Sequence, residues 1–548
     1  MLKHRIAQLL EEAVKQAQAQ GLLPTVSLPE VVVEYPPDPQ HGDYASSLAL
    51  RLARASKLEP KALAEALTKL ILPAPEVGQV TVAAPGYINF CLRGEWLAQQ
   101  VDEILAQGER FGQVSLGQGQ RLQLEFVSVN PTGPLHVGHG RGAVLGSTLA
   151  RVLAASGYKV EREYYINDAG NQMDAFYHSC YARYLQALGK EATMPEAGYL
   201  GDYLIDLGRE LAAELGQAPL ALPEEQGIVQ VGHRGMEKLL DSIRRDLETL
   251  RVTFDVWFSE SSLMEGGQLQ RILAMLRQGG YIEEREGALW FTSTALGDSR
   301  DNVLVRSSGI PTYFATDAAY HYNKFVERNF ERVINIWGAD HQGHVSRMKA
   351  VVGALGIKPE RLQIIVSQMV TLRRGKEVVK ASKRSGDVII LKEVMDEVGA
   401  DACRFFFLSR SADSQMDFDL ELAKKESPDN PVYYIQYAHA RISSILRQAS
   451  SQGLDFSHGD VTLLTSEPEL ALIRKMLRLP EVVEMVALNL EPQHLPYYAL
   501  DLATTFHGFY KQCRVISSDQ SLSCARLKLV KSAQNVLAQV LGLMGMSV

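Results

Sequence analysis

Two histidines three residues apart, His136 and His139, follow an apolar run that is typical of a buried strand. A helical pattern comes next, so the pair is predicted beyond the carboxyl end of a strand, where open α/β sheets bind ligands. A helix N-terminus offers free N–H groups and a positive dipole end that suit phosphate, and Gly138 would let a nucleotide approach closely. The imidazoles could donate hydrogen bonds as charge develops on an α-phosphate under attack. The motif predicts a nucleotide site, although two polar loop histidines are an equally good interpretation of it in isolation.

The same segment also satisfies a dinucleotide-binding pattern, GxGxx[GA], over residues 138–143. Glu161 and Glu163 follow roughly 20 residues on, where that fingerprint expects an acidic residue. However, the fingerprint needs a tight turn directly after the strand, whereas residues 130–137 intervene here with two prolines. A dehydrogenase would also leave later basic and helical segments unexplained, so we disfavour this interpretation.

A basic segment, KASKRSGD (380–387), follows the last predicted strand. Lys380 and Lys383 could neutralise the β- and γ-phosphates of a nucleotide, and a glycine-containing loop suits closure over it. An exposed basic loop is the simpler interpretation of these residues alone. Together with the histidine pair, on the other side of a parallel sheet, they favour catalysis of phosphoryl chemistry.

A tyrosine and an aspartate, Tyr313 and Asp317, are four residues apart after Pro311, so they are predicted on one face of a helix. A guanidinium offers five N–H donors and pairs best with a planar carboxylate. The pair could therefore bind a guanidinium, although an exposed surface pair is the favoured interpretation of these residues alone.

The elements that must position these residues form a parallel sheet. Buried strands are predicted over residues 122–129, 158–166, 332–341 and 362–370. A helix to about residue 155 connects the first two strands, which makes a βαβ unit with a right-handed crossover. Residues 169–300 are mostly helical in pattern and are predicted to be an insertion. The helical pattern from residue 431 onwards predicts an all-α segment.

The composition is that of a soluble multidomain protein. The chain has 548 residues, 46% of them hydrophobic, and a net charge of −8. At about 100–200 residues a domain, three to four domains are expected. The five cysteines form no CxxC pair, so no structural zinc and no disulfide framework are predicted. No apolar run approaches the ~18 residues of a membrane span, and the N-terminus lacks the apolar core of a signal peptide, so a cytoplasmic protein is expected.

HVGH (136–139) and KASKR (380–384) resemble the two signatures of class I aminoacyl-tRNA synthetases. Further stretches resemble arginyl-tRNA synthetases in particular, and the likeness covers nearly the whole chain. These stretches are GDYASSLALRLA (42–53), PGYINF (85–90), EFVSVNPTGPLHVGHGRGAVLG (125–146), YFATDAAYH (313–321), GADHQGHV (338–345) and NPVYYIQYAHARISSIL (430–446). Ala381 and Arg384 depart from the class signature, which usually has Met and Ser there.

The resemblance implies a role for residues that match the family's motifs. Catalysis would involve His136, His139, Lys380 and Lys383. ATP would be bound by these histidines with Gly138, Asp340, His341 and Lys383. Arginine would be bound by Glu125, Asn130, Tyr313, Asp317 and Gln342. No metal ligand is implied, because Mg²⁺ is expected to accompany ATP through its phosphates and water.

RNA is read by sequence mainly at unpaired loops, through stacking and hydrogen bonds to base edges. Tyr433, Tyr437 and Arg441 of the C-terminal helices are therefore the expected tRNA contacts, although several aromatic residues there could belong to the core. The resemblance implies tRNA(Arg), L-arginine and ATP as partners, and a monomer.

The predicted fold class is α/β multidomain. It has an α/β N-terminal domain (1–110), a Rossmann-type catalytic domain (115–372) with the helical insertion (169–300), a connecting region with the signature loop (373–430) and an anticodon-binding helical domain (431–548). Two alternatives to a synthetase remain at this stage. One is another nucleotidyl-transfer enzyme with the same histidine motif, and the other is an inert tRNA-binding paralogue, against which the presence of both signatures argues.

Overall fold

The computed structural model describes residues 1–379 and 389–548. At the N-terminus, an antiparallel sheet of order β1-β2-β4-β3 packs against helices. Helix α1 shows why: its buried residues recur every three or four positions and form one apolar face. The elements are α1 (Leu2–Ala19), β1 (Val33–Glu34), β2 (Tyr44–Ser46), α2 (Leu48–Ser56), α3 (Pro60–Leu70), β3 (Val77–Ala83), β4 (Tyr87–Leu92) and α4 (Gly94–Gln107).

The central part of the chain contains a five-stranded parallel sheet. Its elements are β5 (Arg121–Glu125), α5 (Val137–Ala155), β6 (Lys159–Ile166), α6 (Asn171–Ala187), α7 (Tyr203–Leu215), α8 (Glu224–Thr249), β7 (Val256–Ser259), α9 (Ser261–Glu265), α10 (Gln268–Gln278), β8 (Ile282–Arg285), β9 (Ala288–Phe291), β10 (Asn302–Val305), α11 (Tyr313–Tyr322), β11 (Arg332–Gly338), α12 (Val345–Ala354) and β12 (Leu362–Ser367).

The order of the parallel sheet is β12-β11-β5-β6-β7, and every neighbouring pair is parallel. After β5 the chain first adds β6 and β7 on one side, and only later β11 and β12 on the other. The strand order therefore reverses between β5 and β11. A crevice opens outside the carboxyl ends of the strands at such a point, which is where ligands bind in open α/β sheets.

Three of the four predicted strands end earlier than the sequence predicts, whereas β6 ends at Ile166 as predicted. β5 ends at Glu125 rather than residue 129, because Val127 and Ser128 adopt left-handed conformations with φ of 70° and 45° that cannot continue a strand. β11 ends at Gly338, where a 3₁₀ helix (Ala339–His344) begins. An apolar run predicts a buried segment but not the residue at which strand pairing stops, and residues 127–129 and 339–341 beyond the strand ends are half-buried or exposed.

The prediction of a helical insertion over residues 169–300 requires a correction. Helices α6, α7 and α8 do lie there, but β7 is the fifth strand of the catalytic sheet, and β9 pairs antiparallel with β8 on one side and β10 on the other. These strands have four residues each. Runs that short carry too few alternations to be separated from helical segments by periodicity.

The last part of the chain begins with a small three-stranded sheet and short helices, and it is helical from residue 431 onwards, as predicted. Its elements are β13 (Val370–Arg374), β14 (Glu377–Val378), α13 (Leu391–Val398), α14 (Ala400–Leu408), β15 (Met416–Asp419), α15 (Leu420–Lys424), α16 (Pro431–Ser451), α17 (Glu467–Met476), α18 (Leu479–Asn489), α19 (His494–Gln512) and α20 (Gln520–Met544). Helices α16 to α20 form a bundle, so the predicted α/β multidomain fold class with an all-α C-terminal part is confirmed. Among the described helices, none is both long and apolar enough to cross a membrane.

Candidate active site

His136 is the N-cap of α5, and its imidazole holds the first turn of the helix. The Nδ1 atom accepts hydrogen bonds from the backbone N–H groups of Gly138 at 3.1 Å and His139 at 3.4 Å. The N–H of Val137 donates to the Ile389 carbonyl oxygen at 3.1 Å. The expectation of free N–H groups at this helix N-terminus is therefore wrong, because a side chain and a neighbouring segment already occupy them.

Each of the two imidazoles still offers a hydrogen-bond donor. Their ring centroids lie 3.3 Å apart, and the Nδ1 atom of His139 accepts from the His136 N–H at 3.3 Å. Burial lowers the pKa of both rings, that of His139 to about 3 with the help of His136, so both are neutral. A neutral ring that accepts at Nδ1 carries its proton on Nε2, and both Nε2–H groups can donate. A Cβ at Gly138 would lie 3.0 Å from His136 Cε1, closer than ordinary van der Waals contact, so glycine leaves room for the ring.

A cleft of about 610 Å³ opens beside the histidine pair, at the carboxyl ends of β5 and β11. His136, Gly138 and His139 line one wall, and Asp340 and His341 line the wall opposite. Lys380 and Lys383, predicted to complete this site, lie outside the described residues.

A second cavity, of about 430 Å³, adjoins the cleft and shares part of its lining. Four of the residues predicted to bind arginine meet there: Glu125, Asn130, Tyr313 and Asp317. Asn130 lines both spaces. Helix α11 begins at Tyr313, which puts Tyr313 and Asp317 on consecutive turns of one face. We refer to this cavity as the acidic pocket.

The acidic pocket holds a carboxylate that the sequence interpretation missed, Glu260, which follows β7 directly. Burial raises the pKa of Glu260 to about 7, with a contribution from Asp168. Burial and the neighbouring Glu125 and Glu260 raise the pKa of Asp317 to about 7 as well. An acidic residue directly after a short apolar run was the available signal, but the run lay in the segment interpreted as an insertion.

Glu125 is neutralised within the protein. Its Oε2 atom lies 2.5 Å from the Nζ of Lys324, which is fully buried and also donates to Asn335 Oδ1 at 3.1 Å. Lys324 sits on a single π-helical turn (Asn323–Glu327), a rare distortion that is frequent at functional sites. Since Glu125 is already paired, Asp317 and Glu260 are the carboxyl groups left for a ligand, and Arg347, which also lines the pocket, offsets the charge of Asp317 only in part.

Gln342, whose contact with arginine stays a prediction, does not line the acidic pocket. The residue is exposed and lines a different depression with Lys349. It lies on the 3₁₀ helix that carries Asp340. With three residues per turn, a residue two positions after Asp340 points away from the side that Asp340 faces.

The residues predicted to bind tRNA lie together on the helical bundle. The rings of Tyr433 and Tyr437 are stacked at 6.1 Å, and Tyr437 stacks in turn on His507 at 5.8 Å. The guanidinium of Arg441 lies 4.9 Å from the Tyr437 ring and 5.0 Å from that of Tyr510. We call these five side chains the aromatic stack; Tyr437 and Tyr510 are its exposed members.

Comparisons with known proteins match the whole chain. The matching families are described as "Arginyl tRNA synthetase N terminal domain" over residues 2–92, "tRNA synthetases class I (R), catalytic domain" over residues 100–409 and "DALR anticodon binding domain" over residues 435–548. The arginine–tRNA ligase of Dehalococcoides mccartyi (strain CBDB1) is 56% identical over 100% of this chain and 98% of its own length. That of Moorella thermoacetica is 48% identical over the same shares.

A solved structure, the arginyl-tRNA synthetase of Thermus thermophilus, has the same fold. It superposes with a TM-score of 0.80 at 23% identity, over 100% of this chain and 99% of that one.

The parallel sheet, the histidine pair beyond its central strand and the catalytic-domain match define a class I aminoacyl-tRNA synthetase. Within this class, the identity to arginine–tRNA ligases over the whole chain decides the specificity. The chain belongs to the arginyl-tRNA synthetase family.

Proposed function

We propose that this ligase binds the guanidinium of L-arginine in the acidic pocket, between Asp317 and Glu260, with Tyr313 closing the entrance. The observation that carries the proposal is the placing of two carboxyl groups in one pocket, Glu260 buried and Asp317 half-buried, with both pKa values raised to about 7. Two like charges in a small pocket are costly unless a cation joins them. A guanidinium supplies one positive charge and donors that suit two carboxylates.

ATP would occupy the adjoining cleft and enter as its Mg²⁺ complex, with His136 and His139 donating from Nε2 to its phosphates. The arginine carboxylate oxygen then attacks the α-phosphorus and the bond to pyrophosphate breaks. The terminal ribose hydroxyl of tRNA next attacks the acyl carbon, and AMP leaves. Both steps depend on positioning and on donors aimed at developing charge, for which Lys380 and Lys383 are further candidates.

We further propose that the aromatic stack contacts the anticodon arm of tRNA(Arg), through Tyr433, Tyr437 and Arg441. Stacked rings next to a guanidinium are the surfaces on which unpaired RNA bases pack. The domain division given above, with residues 1–110 contacting the body of the tRNA, is part of the same proposal. So are a monomeric state and a cytoplasmic location.

The test is ATP–pyrophosphate exchange with each amino acid in turn, with and without tRNA(Arg). We expect exchange with arginine alone among the amino acids, and a requirement for tRNA, as the family resemblance implies. Another nucleotidyl-transfer enzyme would give no arginine-dependent exchange, and an inert paralogue would give none with any amino acid. Rapid exchange with arginine in tRNA-free protein would contradict the tRNA requirement but not the specificity.

A further inference from the structure

A polar pocket of about 510 Å³ lies between the catalytic sheet and the helical bundle. One wall is β12, an edge strand of the parallel sheet, and the other is the segment that joins α18 to α19. Its volume is within the range of roughly 300–1,000 Å³ that is usual for ligand sites. We call it the interdomain pocket. The binding proposed above for arginine and ATP does not involve this pocket.

Side-chain amides dominate the polar groups of the interdomain pocket. Gln363, Gln368, Asn489 and Gln493 all line it. Amides carry a donor and an acceptor side by side, as the edges of nucleobases do, which is why Asn and Gln pair with bases. The edge strand adds backbone N–H and C=O groups that have no partner strand on that side.

Gln493 gives the clearest sign of a missing ligand. The residue is only 8% exposed, and among the described residues its Oε1 atom has no hydrogen-bond partner. An unpartnered buried acceptor is costly, and native proteins keep few of them. A hydroxyl or amino group of a bound molecule would satisfy it.

The charges of the pocket disfavour a phosphate. Its lining includes one cation, Lys349, and two anions, Asp413 and Glu491. A net negative lining repels a phosphate, whereas a base edge or a ribose hydroxyl is neutral and hydrogen-bonds to amides.

The position of the pocket indicates where such a group would come from. Gln368 lines both the pocket and the ATP cleft, so the two spaces are neighbours. The other wall lies at the start of α19, and His507 of the aromatic stack lies about 13 residues further on, or about 20 Å along the helix. The pocket thus adjoins both the ATP cleft and the helix that carries His507 of the aromatic stack.

Hydrogen bonds also connect the lining of the pocket to α5, the helix that carries the histidine pair. Arg141 of α5 is fully buried and donates to the carbonyl oxygens of Gln368 at 2.8 Å, Ser414 at 2.8 Å and Ser411 at 2.7 Å. The buried side chain of Arg141 therefore connects the lining segment after α14 to the helix that begins at the active site.

We infer that the interdomain pocket binds an unpaired nucleotide of the tRNA through its base edge and ribose, with Gln493 Oε1 accepting a hydrogen bond from it. This inference rests on the proposed function, since it needs tRNA as the substrate. Sequence-specific RNA recognition uses such nucleotides, whose edges are free of pairing.

Gln493→Leu tests the inference, because leucine keeps the volume and removes the amide. KM for tRNA should rise roughly three- to tenfold, the loss of one neutral hydrogen bond, while KM for arginine and ATP stays unchanged. The melting temperature should stay the same or rise, since the lost acceptor has no partner in the free protein. Gln278→Leu, at the exposed end of α10, is the matched control. A KM for tRNA equal to that of the control would overturn the inference.

Two further measurements keep the test decisive if Gln493→Leu folds poorly. Asn489→Ala changes an exposed lining residue and should also raise KM for tRNA. In a set of tRNAs with one abasic position each, one tRNA should have a raised KM with the wild-type protein but no further increase with the Gln493 variant. If no position in the set behaves in this way, the assignment is overturned. If Lys349→Ala raises KM for tRNA more than Gln493→Leu does, and this increase depends on salt, the pocket binds a phosphate. That result would also overturn the assignment. Wild-type protein that fails to charge tRNA at all would refute the proposed function, a separate result.

Discussion

At the residue scale, the acidic pocket is an electrostatic arrangement that its ligand completes. Lys324 compensates Glu125 inside the protein, whereas Asp317 and Glu260 share a confined space in which Arg347 offsets only part of the charge of Asp317. Their raised pKa values are the signature of this imbalance, because burial and a like charge both favour the neutral acid. Binding of a guanidinium would restore both carboxyl groups to the ionised form.

The pH dependence of arginine use follows from these two pKa values. Below about pH 7 the carboxyl groups of the free enzyme are protonated and cannot pair with a guanidinium, so kcat/KM for arginine should rise with pH through about 7 and then level off. Asp317→Asn should raise KM for arginine strongly, by more than tenfold, since a buried charge pair is broken. Steady-state kinetics over about pH 6–8.5 measures both.

KM for ATP in the same series is the internal control, because burial lowers the pKa of both histidines and favours their neutral forms. A flat profile for arginine, or an unchanged KM in the Asp317 variant, would remove the acidic pocket as the arginine site.

At the scale of elements, the N-terminus of α5 combines two tasks in one side chain. The Nδ1 atom of His136 caps the helix, and its Nε2–H group faces the cleft. The cap fixes the ring, so the donor is held in place before any nucleotide binds. Such preorganisation is what makes a hydrogen-bond donor effective in a transition state.

Two substitutions of His136 separate the tasks. Asparagine is a good N-cap, so His136→Asn should leave the free energy of unfolding within about 0.5 kcal/mol, whereas His136→Ala should lower it by about 1 kcal/mol. Both variants lose the Nε2–H donor, and kcat should fall by roughly 10²–10³-fold in each.

Denaturant unfolding and single-turnover kinetics measure the two effects of His136 independently. Activity within about threefold of wild type in His136→Asn would show that the donor contributes little to catalysis. Equal destabilisation by asparagine and alanine would refute the cap.

At the scale of the whole molecule, a buried carboxylate joins the N-terminal part of the chain to the C-terminal helical bundle. Glu481 of α18 is 7% exposed and accepts hydrogen bonds from the hydroxyl groups of Tyr35 and Tyr44 and from the backbone N–H of Lys3. Arg478 lies over the Tyr35 ring at 3.7 Å. The N-terminal sheet is therefore held against the helical bundle, on which the aromatic stack lies.

Glu481→Ala should loosen this contact. Three donors lose their acceptor, so the free energy of unfolding should fall by about 1–3 kcal/mol. KM for tRNA should rise, because the two proposed RNA-binding parts lose their fixed spacing, while KM for arginine stays unchanged. Glu484→Ala is the matched control: its contact is His4 at 3.2 Å, an exposed side chain, and its loss should cost below about 1 kcal/mol. Equal effects of the two substitutions would contradict the role of Glu481.

The sequence by itself determined the features that depend on local pattern. The histidine pair at the start of a helix, the parallel sheet around it, the helical C-terminal part and the placing of Tyr313 and Asp317 on one face all follow from periodicity and spacing. Each of these is fixed by residues within a turn or two, or by a burial pattern that repeats along one element.

Only the tertiary structure decided the charge balance and the boundaries of the site. Lys324 reaches Glu125 across 199 positions of the chain, and Glu260 enters the acidic pocket only because β7 pairs with β6. Gln342 leaves the pocket because of the direction of one 3₁₀ turn. These outcomes depend on which strands become neighbours and where their pairing stops. The pattern of a residue's own segment does not predict strand pairing, because the free energy of pairing comes from contacts between segments far apart in the sequence.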